Sequence, residues 1–269
     1  MTKAEKIKEM VRQKYGEIAL QSKETNACSC CGSGSCSTEV YNIMSEDYAD
    51  LKGYNPDADL GLGCGLPTQF AKIKKGDVVV DLGSGAGNDC FVARAETGET
   101  GIIIGIDFTP TMIEKATANA KKLGFNNVEF RQGDIEKIPI TANAVDVVVS
   151  NCVLNLAPDK KAVFSEIYRI LKVGGHFSIS DIVLVGELPE KMKIAVEMYA
   201  GCVAGASQKI DYLSIIQQVG FKNITIQKEN PIVLPDDILE KYFSKEDITA
   251  YKANSPIIYS ITVYAEKQG

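Results

Sequence analysis

The spacing of apolar and polar residues changes character near Gly76. Residues 3–20 place apolar side chains at helical intervals among Lys and Glu, which predicts an amphipathic helix. Residues 21–38 are small and polar and have no apolar periodicity, which predicts a loop. Residues 41–70 are mixed and rich in turn signals, so regular structure is expected to resume only at Gly76.

From Gly76 onward, strand-like apolar runs alternate with helical patterns. Strands are predicted at residues 78–83, 101–107, 127–132, 145–151, 176–182, 223–227 and 259–266. Helices are predicted near residues 89–96, 111–123, 159–171, 189–206 and 211–219. This alternation predicts an α/β fold with a doubly wound, mostly parallel, seven-stranded sheet.

The charge pattern argues against two classes of binding partner. The net charge is −6 and no block of Lys or Arg exceeds a pair, so neither nucleic acid nor an anionic membrane is expected as a partner. No apolar run approaches the roughly 18 residues that span a bilayer, and the first residues lack an apolar signal core. We therefore expect a cytoplasmic protein that acts on a small molecule.

Cysteine usage carries a further signal. In a cytoplasmic chain thiols are normally reduced, so clustered cysteines favour binding of soft ions or redox chemistry over disulfides. The eight cysteines are Cys28, Cys30, Cys31, Cys36, Cys64, Cys90, Cys152 and Cys202.

A glycine-rich turn, DLGSGAGND, follows the first predicted strand. Glycines at 83, 85 and 87 allow backbone to turn tightly and to approach a ligand closely. The spacing is GxGxG and not the GxGxxG of pyrophosphate-binding folds, and Asp81 stands at the strand end. These features favour a ligand with a positively charged amine over a diphosphate.

Acidic residues also end the next two strands. Asp107 is placed to accept hydrogen bonds from both hydroxyls of a ribose, and Asp134 to accept one from an adenine amino group. With DLGSGAG, GIDFTP, QGDI and LKVGGHFSISD, the chain resembles class I S-adenosylmethionine-dependent methyltransferases. The cofactor-binding residues predicted on this basis are Asp81, Gly83, Ser84, Gly85, Gly87, Asn88, Asp107, Met112, Asp134, Ile135 and Asn151.

Cysteine thiols, and not a histidine general base, are expected beside the cofactor crevice. The one histidine, His176, stands at the edge of a predicted strand and is interpreted as structural. Cys64, Cys152 and Cys202 are distant in sequence but can meet near the strand ends, and thiolates suit a thiophilic acceptor. Trivalent arsenic bound by three sulfurs keeps a lone pair, which can attack a sulfonium methyl without a base.

The cysteine segments strengthen this interpretation. GLGCGLP, SNCVLNLAPDK, GCVAGA and YGEIALQSKETNAC resemble the arsenic-binding segments of arsenite S-adenosylmethionine methyltransferases. The resemblance implies Cys64, Cys152 and Cys202 as arsenic ligands and Cys28 as the N-terminal thiol. CSCCGSGSC departs from the family pattern because it contains extra cysteines. Cys30 or Cys31 can therefore take the place of Cys28, and all three are candidates for additional arsenic binding or redox chemistry.

The resemblance also implies partners and a division of the chain. Arsenite or methylarsenite thiol conjugates are the expected substrates, and thioredoxin or a small thiol is the expected reductant. Residues 1–70 are expected to form the N-terminal helix and cysteine-rich segment, 71–185 the S-adenosylmethionine-binding domain, and 186–269 the C-terminal arsenic-binding and sheet-completing region.

Other interpretations remain open at this level. Buried cysteines are often core residues, which is the simplest interpretation of Cys90. The CxCCxxxxC cluster is also compatible with structural zinc, although it lacks paired CxxC knuckles. The competing functions are a methyltransferase for an organic acceptor and a non-catalytic, thiol-rich metalloid-binding protein.

Overall fold

The computed structural model describes residues 3–20, 46–187, 205–234, 236, 239–240, 243–254 and 257–269. The strands are β1 (Val78–Leu82), β2 (Ile102–Asp107), β3 (Val128–Gln132), β4 (Val145–Asn151), β5 (Leu171–Leu184), β6 (Lys222–Ile232) and β7 (Ile258–Glu266). The helices, numbered over the described residues, are α1 (Lys3–Ala19), α2 (Pro67–Phe70), α3 (Asn88–Thr97), α4 (Pro110–Lys122), α5 (Lys160–Ile170), α6 (Lys209–Val219) and α7 (Lys245–Asn254).

The strands form one seven-stranded sheet in the order β3-β2-β1-β4-β5-β7-β6. Strands β1 to β5 are parallel, and β7 runs antiparallel between β5 and β6. The predicted mostly parallel, doubly wound sheet is therefore confirmed. From β1 the chain moves outward to β3 and then returns to β4 on the other side, so a crevice opens beyond the carboxyl ends of β1 and β4.

Both faces of the sheet are covered by helices. One core joins β1, β4 and β5 to α5 and α6 and includes Phe164, Phe177 and Tyr212. The other joins β1, β2 and β4 to α1, α3 and α4 and includes Phe91. Coverage on both faces explains why the central strands are continuous apolar runs in the sequence.

Several boundaries differ from the sequence-based prediction. Strand β5 begins at Leu171, since Leu171 pairs with Val145 and His176 with Val147, which leaves a bulge that contains Gly174. Gly174 has a φ of 83°, which glycine adopts readily, so the strand continues through a bulge ahead of the predicted start at residue 176. Strand β6 extends through Pro231, which is tolerated because this strand lies at the sheet edge.

Helix α7 was not predicted from the sequence. Only two of its described side chains, Ile248 and Tyr251, are buried, so its apolar stripe is too short for a periodic pattern to reveal. The helix predicted at residues 189–206 lies largely outside the described residues. None of the described helices combines the length and apolar character that crossing a bilayer requires.

Candidate active site

The carboxyl ends of β1, β2 and β4 open into a pocket of about 1120 Å³, part of which is open to solvent. Asp81, Asp107 and Asn151 line it from these three strands. All the other residues predicted to bind the cofactor also line it, apart from Gly87. Gly87 precedes α3 with a φ of 99°, and a Cβ there would lie 2.8 Å from the Phe130 ring. Its glycine is therefore required by packing between helix and strand.

The glycine-rich turn forms the floor of the pocket. Gly83 and Gly85 have φ values of 72° and 51°, in the left-handed region that favours glycine. A Cβ on Gly83 would lie 2.3 Å from Val153, whereas a Cβ on Gly85 would meet nothing within 4 Å. Gly85 thus leaves space for close approach of a ligand to the backbone.

Two buried polar atoms beside this turn have no hydrogen-bond partner among the described residues. They are the Ser84 hydroxyl oxygen and Asn88 Oδ1, and both residues line the pocket. Buried polar groups are normally paired, so these atoms mark where a polar ligand would bind. Together with the space at Gly85, they fit the small polar cofactor that the sequence predicts.

Asp107 joins the end of β2 to the glycine turn. Its Oδ1 accepts the Thr109 N–H at 2.8 Å, and its Oδ2 accepts the Gly85 N–H at 3.0 Å. Burial raises the pKa of the Asp107 carboxyl, and these backbone donors oppose that rise. Each carboxylate oxygen can accept a further hydrogen bond, as the predicted contact with ribose hydroxyls requires.

Helix α1 contributes a wall of the pocket that sequence reasoning missed. Lys8, Val11 and Tyr15 all line the pocket. Lys8 Nζ lies 2.6 Å from Asp134 Oδ2 and also pairs with Glu136. Asp134 lies in the pocket wall, and its carboxylate is ion-paired to the N-terminal helix. The apolar face of α1 was the available signal, although it did not reveal what that face covers.

A buried acidic pair lies deeper in the pocket. The Cys90 thiol donates to Asp81 Oδ2 at 3.3 Å, and the Tyr48 hydroxyl lies 2.9 and 3.0 Å from the two oxygens of Asp89. Burial, reinforced by Asp89, raises the pKa of Asp81 well above its usual range. Burial also raises the pKa of Asp89, to about 6, although its hydrogen bonds oppose the shift. Such a pair favours a cationic ligand, which would stabilise both ionised carboxylates.

The two described cysteines of the predicted arsenic site lie together. Cys152 follows β4 and lines the pocket, whereas Cys64 is buried and is not among the lining residues; both belong to one apolar cluster with Ile182. Cys152 has a φ of 61°, a strained backbone conformation for a non-glycine residue, and its N–H donates to Ser180 O at 2.8 Å. The neighbouring segment thus holds Cys152 at the pocket in a backbone conformation that the residue alone disfavours.

The other predicted thiols, Cys28, Cys30, Cys31 and Cys202, lie outside the described residues. Within the described ranges no three Cys, His, Asp or Glu side chains converge as a metal site. Cys90 is fully buried as predicted for a core residue, and it also supplies the hydrogen bond to Asp81.

His176 has a structural environment, in agreement with the sequence interpretation. Its Nε2 lies 2.6 Å from Ala71 O, and its ring centroid is 5.1 Å from that of Tyr264. Burial lowers the pKa of His176, although the Ala71 carbonyl opposes the shift. His176 is absent from the residues that line the pocket.

The chain is similar in sequence to known methyltransferases. A family model described as a methyltransferase domain matches residues 73–235. The arsenite methyltransferase of Halobacterium salinarum is 43% identical over 235 residues, which cover 82% of this chain and 59% of that protein. The arsenite methyltransferase of Mus musculus is 35% identical over 232 residues, covering 81% of this chain and 58% of the relative. The chain thus spans about six tenths of the length of these two curated relatives.

A solved structure is similar as well. The arsenic(III) S-adenosylmethionine methyltransferase from Chlamydomonas reinhardtii is 34% identical and superposes with a TM-score of 0.65. The match covers 77% of this chain and 68% of that chain.

Proposed function

Because the chain belongs to the family of the methyltransferase domain, we propose that it transfers methyl groups from S-adenosylmethionine to trivalent arsenic held by cysteine thiolates. The observation that carries the proposal is the position of Cys152. Cys152 lines a pocket whose other walls are strand-end carboxylates and a glycine-rich turn. A soft ligand for arsenic and a site for a cationic nucleoside therefore share one cavity.

The pocket residues divide the work of holding the cofactor. S-adenosylmethionine supplies an electrophilic sulfonium methyl group when it is bound. Asp107 would accept hydrogen bonds from the ribose hydroxyls, Asp134 and Ile135 would contact the adenine, and Asp81 would attract the amino group; all four residues line the pocket. The remaining proposed cofactor contacts, all in the pocket wall, are Gly83, Ser84, Gly85, Asn88 and Met112. Gly87 lies outside the wall and shapes the turn that holds the cofactor.

Cys64, Cys152 and Cys202 act as the arsenic ligands. Three thiolates around trivalent arsenic leave a lone pair, which is the nucleophile, so the reaction needs no general base. The placement of His176, the only histidine in the sequence, supports this mechanism. Its ring forms a hydrogen bond with Ala71 O and does not line the pocket.

The N-terminal thiols Cys28, Cys30 and Cys31 restore trivalent arsenic after transfer. Attack by the lone pair oxidises arsenic formally by two electrons. One of these thiolates then attacks the Cys64 sulfur, a disulfide forms, and the electrons of the broken arsenic–sulfur bond return to arsenic. Thioredoxin or a small thiol reduces the disulfide before the next cycle.

A single turnover without added reductant should therefore leave a disulfide between Cys64 and one of Cys28, Cys30 or Cys31. Peptide mapping with unreacted thiols blocked measures this directly. Enzyme incubated with arsenite but without the cofactor is the control, and it should show no such crosslink. Methylarsenic formation with all eight cysteines still reactive toward a thiol reagent would contradict this step.

Incubation with methyl-labelled cofactor and arsenite tests the function itself. Labelled methylarsenic supports the proposal, whereas label found only in an organic acceptor supports a methyltransferase of another specificity. Tight arsenite binding without any transfer supports a non-catalytic metalloid-binding protein. Either of the last two results would overturn the proposal.

Replacing Asp107 by alanine should weaken S-adenosylmethionine binding by about 1.5–3 kcal/mol, the range for hydrogen bonds to a charged group. The variant also loses the acceptor for the Gly85 N–H, so the glycine turn is less ordered. Asp107→Asn, which keeps one acceptor oxygen, should weaken S-adenosylmethionine binding less than Asp107→Ala does. Arsenite binding should survive in both variants, and unchanged cofactor affinity in calorimetry would remove Asp107 from the site.

We further propose a cytoplasmic location, since the mechanism requires reduced thiols. The division into residues 1–70, 71–185 and 186–269 follows from the same mechanism. The central part holds the cofactor, and each flanking part carries cysteines of the arsenic site. The pocket contacts of α1 support a role for the first part in closing the cofactor site.

A further inference from the structure

The side chain of Asn151 forms two hydrogen bonds with the backbone of the turn that carries Cys64. Asn151 is the last residue of β4, and its Oδ1 accepts the Cys64 N–H at 3.0 Å. Its Nδ2 donates to the Gly65 carbonyl at 2.7 Å. The two hydrogen bonds bracket the peptide unit between Cys64 and Gly65, so they fix the turn in position and in orientation.

The turn is shaped for this close approach. A Cβ on Gly63 would lie 2.6 Å from Asn151 Nδ2, and a Cβ on Gly65 would lie 2.5 Å from the Ser180 hydroxyl oxygen. Both contacts are shorter than side chains tolerate, so the glycines on either side of Cys64 are needed for the backbone to reach Asn151 and Ser180. The Ser260 hydroxyl donates to the Cys64 carbonyl and holds the turn from the opposite side.

The amide of Asn151 is fully used inside the protein. Its two N–H bonds face Gly65 O, the Tyr48 hydroxyl at 2.6 Å and Asp89 Oδ2 at 3.3 Å. No amide hydrogen remains for a contact with the cofactor. An aspartate in this place could not donate to Gly65 or Tyr48, and it would put a second carboxylate beside Asp89.

The same strand end positions the second thiol. Cys152 follows Asn151 directly, and its N–H donates to Ser180 O in the neighbouring strand β5. The Cys64 and Cys152 side chains pack in one apolar cluster. Asn151 therefore connects the two cysteines, although they are far apart in the sequence. Its side chain binds the Cys64 turn, and its backbone leads directly into Cys152.

We propose that Asn151 is a positioning residue that holds the Cys64 thiol in register with Cys152, so that both sulfurs bind one trivalent arsenic atom. This inference rests on the proposed function for its substrate. It assigns Asn151 to the arsenic site through Cys64, in place of the direct cofactor contact expected from the sequence.

Phenylarsine oxide is a suitable probe because it bridges two thiols without any methyl transfer. Two arsenic–sulfur bonds form, the thiol protons leave with the oxide oxygen as water, and arsenic stays trivalent. The readout is protection of Cys64 from alkylation, mapped by peptide mass spectrometry in the full chain at increasing probe concentration. The variants are Asn151→Ala and the nearly isosteric Asn151→Asp, which serves as the test if the alanine variant unfolds.

In both variants, half-protection of Cys64 should require at least about tenfold more probe than in the wild type, the effect of losing one or two buried hydrogen bonds. The KM for arsenite should rise, while the calorimetric Kd for S-adenosylmethionine should change by less than about threefold, under 1 kcal/mol. Asn155→Ala is the matched control. It removes a buried amide that donates to Ile182 O at 2.7 Å and does not contact the Cys64 turn, so Cys64 protection should persist.

Unchanged protection of Cys64 in folded Asn151 variants would overturn the inference. So would a loss of cofactor affinity with arsenic chelation intact, because that result makes Asn151 a cofactor ligand. A wild-type enzyme that chelates the probe through Cys64 and Cys152 but never methylates arsenite would refute the proposed function alone. The two failures are therefore distinguishable.

Discussion

Replacing Cys152 by serine is expected to abolish methyl transfer to arsenite while the protein stays folded and still binds S-adenosylmethionine. The exchange keeps the size of the side chain but puts a hard oxygen in place of a soft sulfur, so trivalent arsenic loses a ligand. The left-handed backbone at Cys152 strains serine about as much as cysteine, since both have a Cβ, which argues against a large effect on folding. The measurement is methylarsenic formed per enzyme, with cofactor affinity determined on the same sample.

Cys90→Ser is the matched control for this experiment. It makes the same exchange at a buried cysteine that does not line the pocket, and a serine hydroxyl can still donate to Asp81. We expect methyl transfer to persist in that variant, and Cys202→Ser to behave like Cys152→Ser. A Cys152→Ser enzyme that methylates arsenite at the wild-type rate would eliminate the thiolate mechanism.

Replacing Asp181 by asparagine should change how the stability of the protein depends on pH. Asp181 is fully buried in β5, and burial raises its pKa from 3.8 to about 7, partly opposed by the charge of Lys160. Its oxygens accept the Ile182 N–H at 3.0 Å and the Tyr212 hydroxyl at 3.3 Å. These donors do not offset the cost of burying the charge, so the folded protein keeps Asp181 protonated up to near neutral pH.

The direction of the effect follows from where the proton binds. In the unfolded chain Asp181 ionises near pH 3.8, whereas in the folded protein it holds its proton to about pH 7. Stability from this group is therefore complete below the lower value and is lost as pH rises through the upper one. A shift of about three pKa units corresponds to up to about 4 kcal/mol.

Asparagine cannot ionise, so the variant should gain about 3 kcal/mol relative to the wild type between about pH 4.5 and about pH 8.5, since the rest of the change lies below pH 4.5. Urea unfolding of both proteins at the two pH values measures this difference. A constant difference in the free energy of unfolding between the two proteins does not affect it. Asp211→Asn, an exposed substitution on the same helix as Tyr212, is the control and should leave the difference near zero. A wild type and an Asp181→Asn variant with parallel stability profiles would show that Asp181 is not protonated in the folded state.

Most of the fold could be predicted from local patterns, because the parallel strands are covered on both faces. Such strands are continuous apolar runs, and β1, β2 and β4 fall within a residue of their predicted bounds. The errors occur where that condition fails. The edge strand β6 is polar in its second half, and α7 buries too few side chains to show a period.

The candidate site could be predicted in part for a related reason. Strand-end aspartates and a glycine turn are adjacent to strong secondary-structure signals, so Asp81, Asp107 and Gly85 could be placed at the crevice. Tyr48 comes from a segment without such signals, and Lys8 from a predicted helix whose pattern does not show what the helix covers. Their contacts with Asp89 and Asp134 span gaps of 41 and 126 residues, which no local pattern encodes.

The sequence by itself determined the order of the seven strands, the position of the glycine-rich turn and the presence of cysteines at the end of β4 and before β1. These features depend on side chains within a few residues of each other, where backbone preference and hydrophobic period act directly. Only the tertiary structure decided that Asn151 brackets the Cys64 turn and that Asp181 is buried beside Tyr212. Those arrangements arise from packing between distant segments, where burial strengthens each hydrogen bond and makes each unpaired charge costly.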